Sequence, residues 1–200
     1  MQLKMKQVLR ILIPVLLLLL VIVVSASCYT VRENEYACVV RFSKIIDVTP
    51  SAGLHFKLPF FDTIIKFPQT VLLYDIPPSD VITSDSKSMR VDSYVLWKIT
   101  DPLVFYKSIG SIVEAEVRLD NITYNALKNT MGTIEQDAII NMEDAAKRNE
   151  IYAQITSQVT EKAVLYGIDV VDVKVKRLDY PADNEQAVYT RMISERNMMA

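Results

Sequence analysis

The sequence predicts an α+β protein: a mostly antiparallel sheet packed with helices, behind an N-terminal transmembrane helix. Three observations lead there. A wholly apolar run covers Ile11 to Val24. The first half of the chain beyond it alternates apolar and polar residues with the period of two that a strand requires. The second half changes to helical spacings of three and four before one strand returns, so strands and helices are segregated. Hydrophobic residues make up 50% and charged residues 23% of the 200, a balance that excludes wholesale disorder.

Lys4, Lys6 and Arg10 precede the apolar run, and no acid appears before Glu33. Ile11 to Cys28 is 18 residues, which as a helix rises about 27 Å, close to a hydrocarbon core of about 30 Å. Pro14 then falls in the first turn, where a missing N–H costs least. Three readings stay open for residues 1–28: a retained anchor, which is preferred, a cleaved signal peptide, and a lipoprotein signal ending at Cys28. A signal fits the basic start and the small residues Ser25-Ala26-Ser27; a lipoprotein signal normally has Leu where Ser25 stands. All three keep the cations on the cytoplasmic side and put the chain from about Tyr29 onward outside it.

Tyr36, Cys38, Val40 and Phe42 alternate with Ala37, Val39 and Arg41 as a strand, and Ile45 to Val48 continues or pairs with it. Pro50-Ser51-Ala52-Gly53 is a turn. Leu54 to Asp62 is short and unusually aromatic. Thr63 to Phe67 and Val71 to Ile76 read as strands, and Pro77-Pro78 breaks the chain. Met89, Val91, Val95, Trp97 and Ile99 share one face of the clearest strand, which forms a hairpin with Val81-Ile82-Thr83 across Ser84 to Lys87.

Asp101 caps a short helix with Pro102 at its first position. Ala115, Leu119, Ile122 and Ala126 form one apolar stripe of a helix ending near Gly132. Thr133 caps a short helix into Ile140, and a longer helix runs from about Met142 to Tyr166 with Ala145, Ile151, Ile155, Val159 and Ala163 buried. Gly167 ends it. Ile168 to Leu178 is a strand, Pro181 stops it, and Asn184 to Ala200 reads as a final helix.

Several function classes fall away. Lys plus Arg is 22 against 24 for Asp plus Glu, a net charge of −2, and there is no basic stripe for nucleic acid. Gly53, Gly110, Gly132 and Gly167 are too far apart for a phosphate-cradling loop. One histidine, His55, and two distant cysteines, Cys28 and Cys38, make neither a metal cluster nor a disulfide framework. Cys38 reads as a small buried residue and His55 as a structural one. The acids Asp80, Asp85, Asp92, Asp101, Glu114, Glu116 and Asp120 read as solvated or capping groups. Ser86 and Lys87 are adjacent in an extended turn and point apart, which argues against a serine–lysine dyad. No catalytic, cofactor-binding or metal-binding residue is assigned.

Four segments carry a family resemblance. Gly53-Leu54-His55-Phe56-Lys57-Leu58-Pro59-Phe60 resembles a "GLHFKxPF" segment of the stomatin–prohibitin–flotillin–HflK/C family, known as SPFH or band 7. Val91 to Ile99 is similar to the "VDSYVxWxI" strand of its HflC branch. Ile168 to Arg177 resembles that branch's "GIEVVDVRIK" strand, and Val188 to Arg196 its "IYxRMxxER" helix start.

The resemblance implies residues 1–28 as cytoplasmic stub and anchor, 29–181 as an SPFH domain, and 182–200 as the start of a long helix that here stops at Ala200, as in a truncated chain. It implies a non-enzymatic scaffold in the bacterial inner membrane. Such a scaffold self-associates, pairs with an HflK-like protein and regulates an FtsH-type AAA+ protease. The alternative is a general membrane-organising scaffold without a protease partner.

Two residue sets are candidates within this frame. Phe56, Leu58, Pro59, Phe60 and Phe61 either contact membrane lipid at the interface or plug the base of the sheet. Val188, Arg191, Met192, Glu195, Arg196 and Met199 recur at spacings near four and seven, which suits either a subunit contact or packing on their own domain.

Overall fold

A computed structural model describes residues 2–136, 139 and 145–179. The chain divides into two compact units, Met1–Thr70 and Val71–Ala200.

The first unit begins with helix α1, Gln2–Ser27, of 26 residues. It starts well before Ile11, so Pro14 lies in its interior and not in a first turn. A proline there removes one backbone hydrogen bond of the helix. Among the described residues, no helix is long and apolar enough to cross a membrane.

Five strands follow: β1 (Cys28–Val31), β2 (Glu35–Arg41), β3 (Lys44–Thr49), β4 (Gly53–Phe56) and β5 (Asp62–Pro68). β1 and β4 pair alone, and β3-β2-β5 form a second sheet, all antiparallel. The central strand β2 buries four consecutive residues, Ala37 to Val40, so both its faces are covered. That departs from the one-sided burial its alternation suggested. Cys38 is fully buried as expected, and burial pushes its thiol up to about 11.

The second unit holds a sheet of order β6-β7-β8, with β6 (Leu72–Ile82), β7 (Ser88–Ile99) and β8 (Ile168–Asp179) antiparallel. Every second residue of β7 from Met89 to Ile99 is buried, Ser93 included. Pro77-Pro78 does not break the chain. β6 continues through it with a register shift between Ile76 and Ser79. An edge strand tolerates this because a bulge absorbs the missing donors. The antiparallel structure is therefore spread over three sheets, and the third recruits β8 from the far end of the chain.

Helix α2 (Pro102–Ser108) is capped as expected: the Asp101 carboxylate accepts from Leu103 N and Val104 N, both at 3.0 Å. Helix α3 (Ile112–Met131) is capped by Ser111 and buries Ala115, Leu119, Ile122 and Ala126, the predicted stripe. Helix α4 (Ala145–Ala163) buries Ile155, Val159 and Ala163, while Ile151 is half-buried. It gives way at Val164–Tyr166 to a 3-10 turn, so the α-helix ends three residues before the predicted limit. Gly167 follows at φ 74°, the left-handed conformation that glycine adopts without strain.

Thr133 does not cap the next segment. Its hydroxyl donates back to Thr130 O at 2.7 Å. The Asp85 carboxylate, from the β6–β7 loop, accepts from Gln136 N at 3.2 Å instead. The remainder of the helix expected into Ile140, the residues 142–144 that were to open the long helix, and the final helix from Asn184 lie outside the described residues, apart from Ile139.

Candidate functional site

The strand directions of the first unit bring two chain reversals and the C-terminus of α1 to one end. β1 leaves α1 at Cys28 and pairs there with Phe56, and the Lys57 N–H donates to Ser27 O at 2.7 Å. β2 runs back toward the same end and turns at Phe42-Ser43 into β3. β4 also returns to it, and Lys57 to Phe61 reverse the chain into β5, where Asp62 pairs with Arg41. The C-terminus of α1, the β2–β3 turn and the β4–β5 loop thus form one face.

That face is apolar and open. Phe60 is 92% exposed and Phe42 80%, and Leu54, Phe56, Leu58 and Phe61 are also exposed, while Pro59 is half-buried. These side chains therefore do not fill the base of the sheet. The Phe42 and Phe61 rings meet edge-on at 6.4 Å between centroids, which joins the turn to the loop. Along α1, the large apolar residues from Ile13 to Val24 are exposed apart from the half-buried Val23, continuing the apolar surface.

One carboxylate braces the loop. Asp62 is buried, and its oxygens accept from Arg41 Nε at 2.6 Å and Nη2 at 3.0 Å. It also accepts from Leu58 N at 2.9 Å, while the Asp62 N–H donates to Leu58 O at 3.1 Å. The Arg41 hydrogen bonds, with the Leu58 N–H and nearby Lys57, hold its carboxyl below the usual carboxylate range. Phe60 has φ 70°, and Phe42 and Ser43 have φ 49° and 63°. An aromatic residue in the left-handed region is strained, and such strain concentrates where a side chain has a task other than packing.

Sequence reading found Phe56 to Phe61 but missed Phe42, whose alternation with Tyr36, Cys38 and Val40 assigned it to the strand. The signal was the position: a Phe-Ser pair between two strand patterns, in a turn with no glycine. The set from Val188 to Met199 lies outside the described residues.

Asp80, Asp85, Asp92 and Asp101, four of the acids, have structural partners. Asp80 pairs with Arg90 at 3.0 Å, and Lys176 bridges Asp75 and Asp92 at 2.5 and 2.8 Å across the sheet. Lys87 Nζ is engaged by the Asp85 carboxylate at 2.9 Å. His55 Nε2 hydrogen-bonds Ser51 O at 2.9 Å. Among the described residues, no group of three or more His, Cys, Asp or Glu is arranged to hold a metal ion.

The SPFH domain / Band 7 family model matches residues 29–198, nearly the whole chain beyond α1. The chain belongs to this family. Its relatives include Protein HflC of Buchnera aphidicola subsp. Acyrthosiphon pisum, 28% identical over 199 residues, covering 90% of this chain and 64% of the relative. The Modulator of FtsH protease HflC of Escherichia coli K12 is 26% identical over 228 residues, covering 92% and 68%. Protein HflC of Vibrio parahaemolyticus is 27% identical over 225 residues, covering 96% and 69%. The chain is thus an HflC-like SPFH protein that spans about two thirds of the length of these relatives.

Proposed function

We propose that this HflC-like chain is part of a membrane-anchored, non-enzymatic scaffold that assembles with itself and an HflK-like partner. In this reading it regulates an FtsH-type membrane protease by walling off or admitting its substrates. The observation that carries the membrane part is the face at the end of α1. Two reversals, separate in sequence, deliver Phe42 from the β2–β3 turn and Phe56, Leu58, Phe60 and Phe61 from the β4–β5 loop to the end of the unit where the apolar helix ends. Aromatic rings favour the headgroup zone of a bilayer, so this face is proposed to rest on the interface with Pro59 at its turn. The protease part is supported by the name of the E. coli relative.

With α1 as anchor, Lys4, Lys6 and Arg10 stay cytoplasmic and the SPFH domain lies on the other side. Val188, Arg191, Met192, Glu195, Arg196 and Met199 are proposed as a contact between neighbouring subunits, from their helical spacing. The deciding experiment is gentle, tag-based extraction of the full-length product from its own membrane, with co-purifying proteins identified by mass spectrometry. An HflK-like protein together with an FtsH-like protease, absent from a tag-only control, is the expected result. Recovery of its own subunits and lipid alone would replace the protease role with that of a general membrane scaffold. A reporter fused at Ala200 checks the orientation: activity confined to the cytoplasm contradicts it.

A further inference from the structure

The aromatic face carries a charge imbalance. The segments that build it, 41–44 and 53–62, contain Arg41, Lys44 and Lys57 against one carboxylate, Asp62. That carboxylate is engaged by Arg41 through both oxygens. Lys44 is exposed at the first position of β3, beside the Phe42-Ser43 turn. Lys57 follows Phe56, and its backbone is bonded to the last residue of α1. Among the described residues, neither ammonium group lies within ion-pair distance of a carboxylate, although Lys57 acts on Asp62 from farther away. At the opposite end of the same unit, by contrast, Arg32 and Lys66 both pair with Glu35, at 3.8 and 3.1 Å.

Exposed rings and unpaired ammonium groups on one face have a specific consequence at a bilayer. The rings enter the acyl boundary, and the lysines extend along apolar surface to keep their charge at the phosphates. A zwitterionic headgroup neutralises its own phosphate, whereas an anionic one leaves a net charge for the lysines. We infer that Lys44 and Lys57 form a site for anionic phospholipid headgroups, so that the face gathers these lipids around itself. The inference rests on the proposed membrane-facing role of Phe56 to Phe61. The occupant is lipid and not free phosphate, because the two cations border an apolar face continuous with α1.

The test uses the full 200-residue chain bearing Phe60→Trp in vesicles of phosphatidylcholine with phosphatidylglycerol as the minor component. Acyl-chain bromines on one lipid or the other quench the introduced indole, and the parent chain supplies the Trp97 background. Quenching by brominated phosphatidylglycerol is expected to exceed its share of the bilayer by roughly five-fold. Lys44→Gln/Lys57→Gln should return it to that share while quenching by brominated phosphatidylcholine persists, and Lys44→Arg/Lys57→Arg should preserve the enrichment. Quenching in proportion to bilayer composition, or enrichment that survives the double glutamine variant, overturns the headgroup site and leaves the membrane-facing reading standing. Absence of quenching by either lipid removes that underlying reading as well.

Discussion

The Asp62 carboxylate serves Arg41, the Leu58 N–H and, through them, the whole β4–β5 loop. Hydrogen bonding from Arg41 is the main reason its folded-state pKa is depressed. A depressed carboxylate pKa gives stabilisation that is fully present above the unfolded value of about 3.9 and is lost as pH falls through the lower folded value. The denaturation midpoint of the first unit should therefore fall on acidification through and below about pH 4. Asp62→Asn should lower the midpoint at neutral pH and flatten this acid dependence. An unchanged profile in that variant would remove Asp62 from the account. Gly167 is constrained differently. A Cβ there would stand 2.4 Å from Asp101 O and 2.9 Å from Phe105 N, at φ 74°. Both strain and clash oppose Gly167→Ala, which should cost roughly 2–4 kcal/mol in denaturant titrations followed by Trp97 emission. The sequence identified Gly167 as a helix terminator. It did not reveal that Gly167 O accepts from Thr100 N and Asp101 N, welding β7, α2 and β8 at one point.

At the scale of elements, β8 and α4 are joined along the edge that β8 does not share with β7. The Thr156 hydroxyl accepts from Val173 N at 3.1 Å, and the Thr160 hydroxyl lies 3.3 Å from Val170 O. Thr156→Val keeps the shape and removes the acceptor, leaving a partly buried N–H unpaired. The expected loss is about 1–2 kcal/mol, with faster exchange of the Val173 amide, and Thr156→Ser should retain most of the stability. Exchange at Val173 that does not respond would mean the strand edge is held by other bonds. This pairing shows why some elements were legible and others were not. The periodicity of β7 and α3 records which side faces the core, so the stripes read from spacing are buried, and in α4 Ile155, Val159 and Ala163 are buried while Ile151 is half-buried. The caps that depend on distant chain could not be read from spacing. Asp85 reaches Gln136 across 51 positions, whereas local rules nominate Thr133. Pro77-Pro78 misled for a related reason: proline forbids a central strand but not a bulged edge, and only the strand order tells which β6 is.

For the molecule as a whole, each unit has its own buried residues. Val31, Ala37 to Val40 and Phe67 form a small core in the first, and a larger one surrounds Trp97 and Phe105 in the second. Trp97 is the sole tryptophan and fully buried, so its emission reports the second unit, and labelling of Cys38 reports the first. In mild detergent, on a Cys28→Ser background, Cys38 should become reactive at lower denaturant than the Trp97 emission shifts, because the smaller core buries less apolar surface. Coincident midpoints would show that the two cores unfold as one cooperative body.

The sequence by itself determined the apolar N-terminal run, the α+β class, the core stripes of β7 and α3, and the membership of the SPFH family. These rest on local periodicity and on ordered motifs, both of which are properties of consecutive residues. Tertiary structure alone decided that Phe42 joins Phe56 to Phe61, that Asp62 braces them through Arg41, and that Lys44 and Lys57 border the same face. Those residues are separated along the chain, and only the antiparallel reversals of β1 to β5 carry them to one end. Charge and apolar surface become a site when the backbone brings them to one face, and no spacing rule along a single chain encodes that meeting.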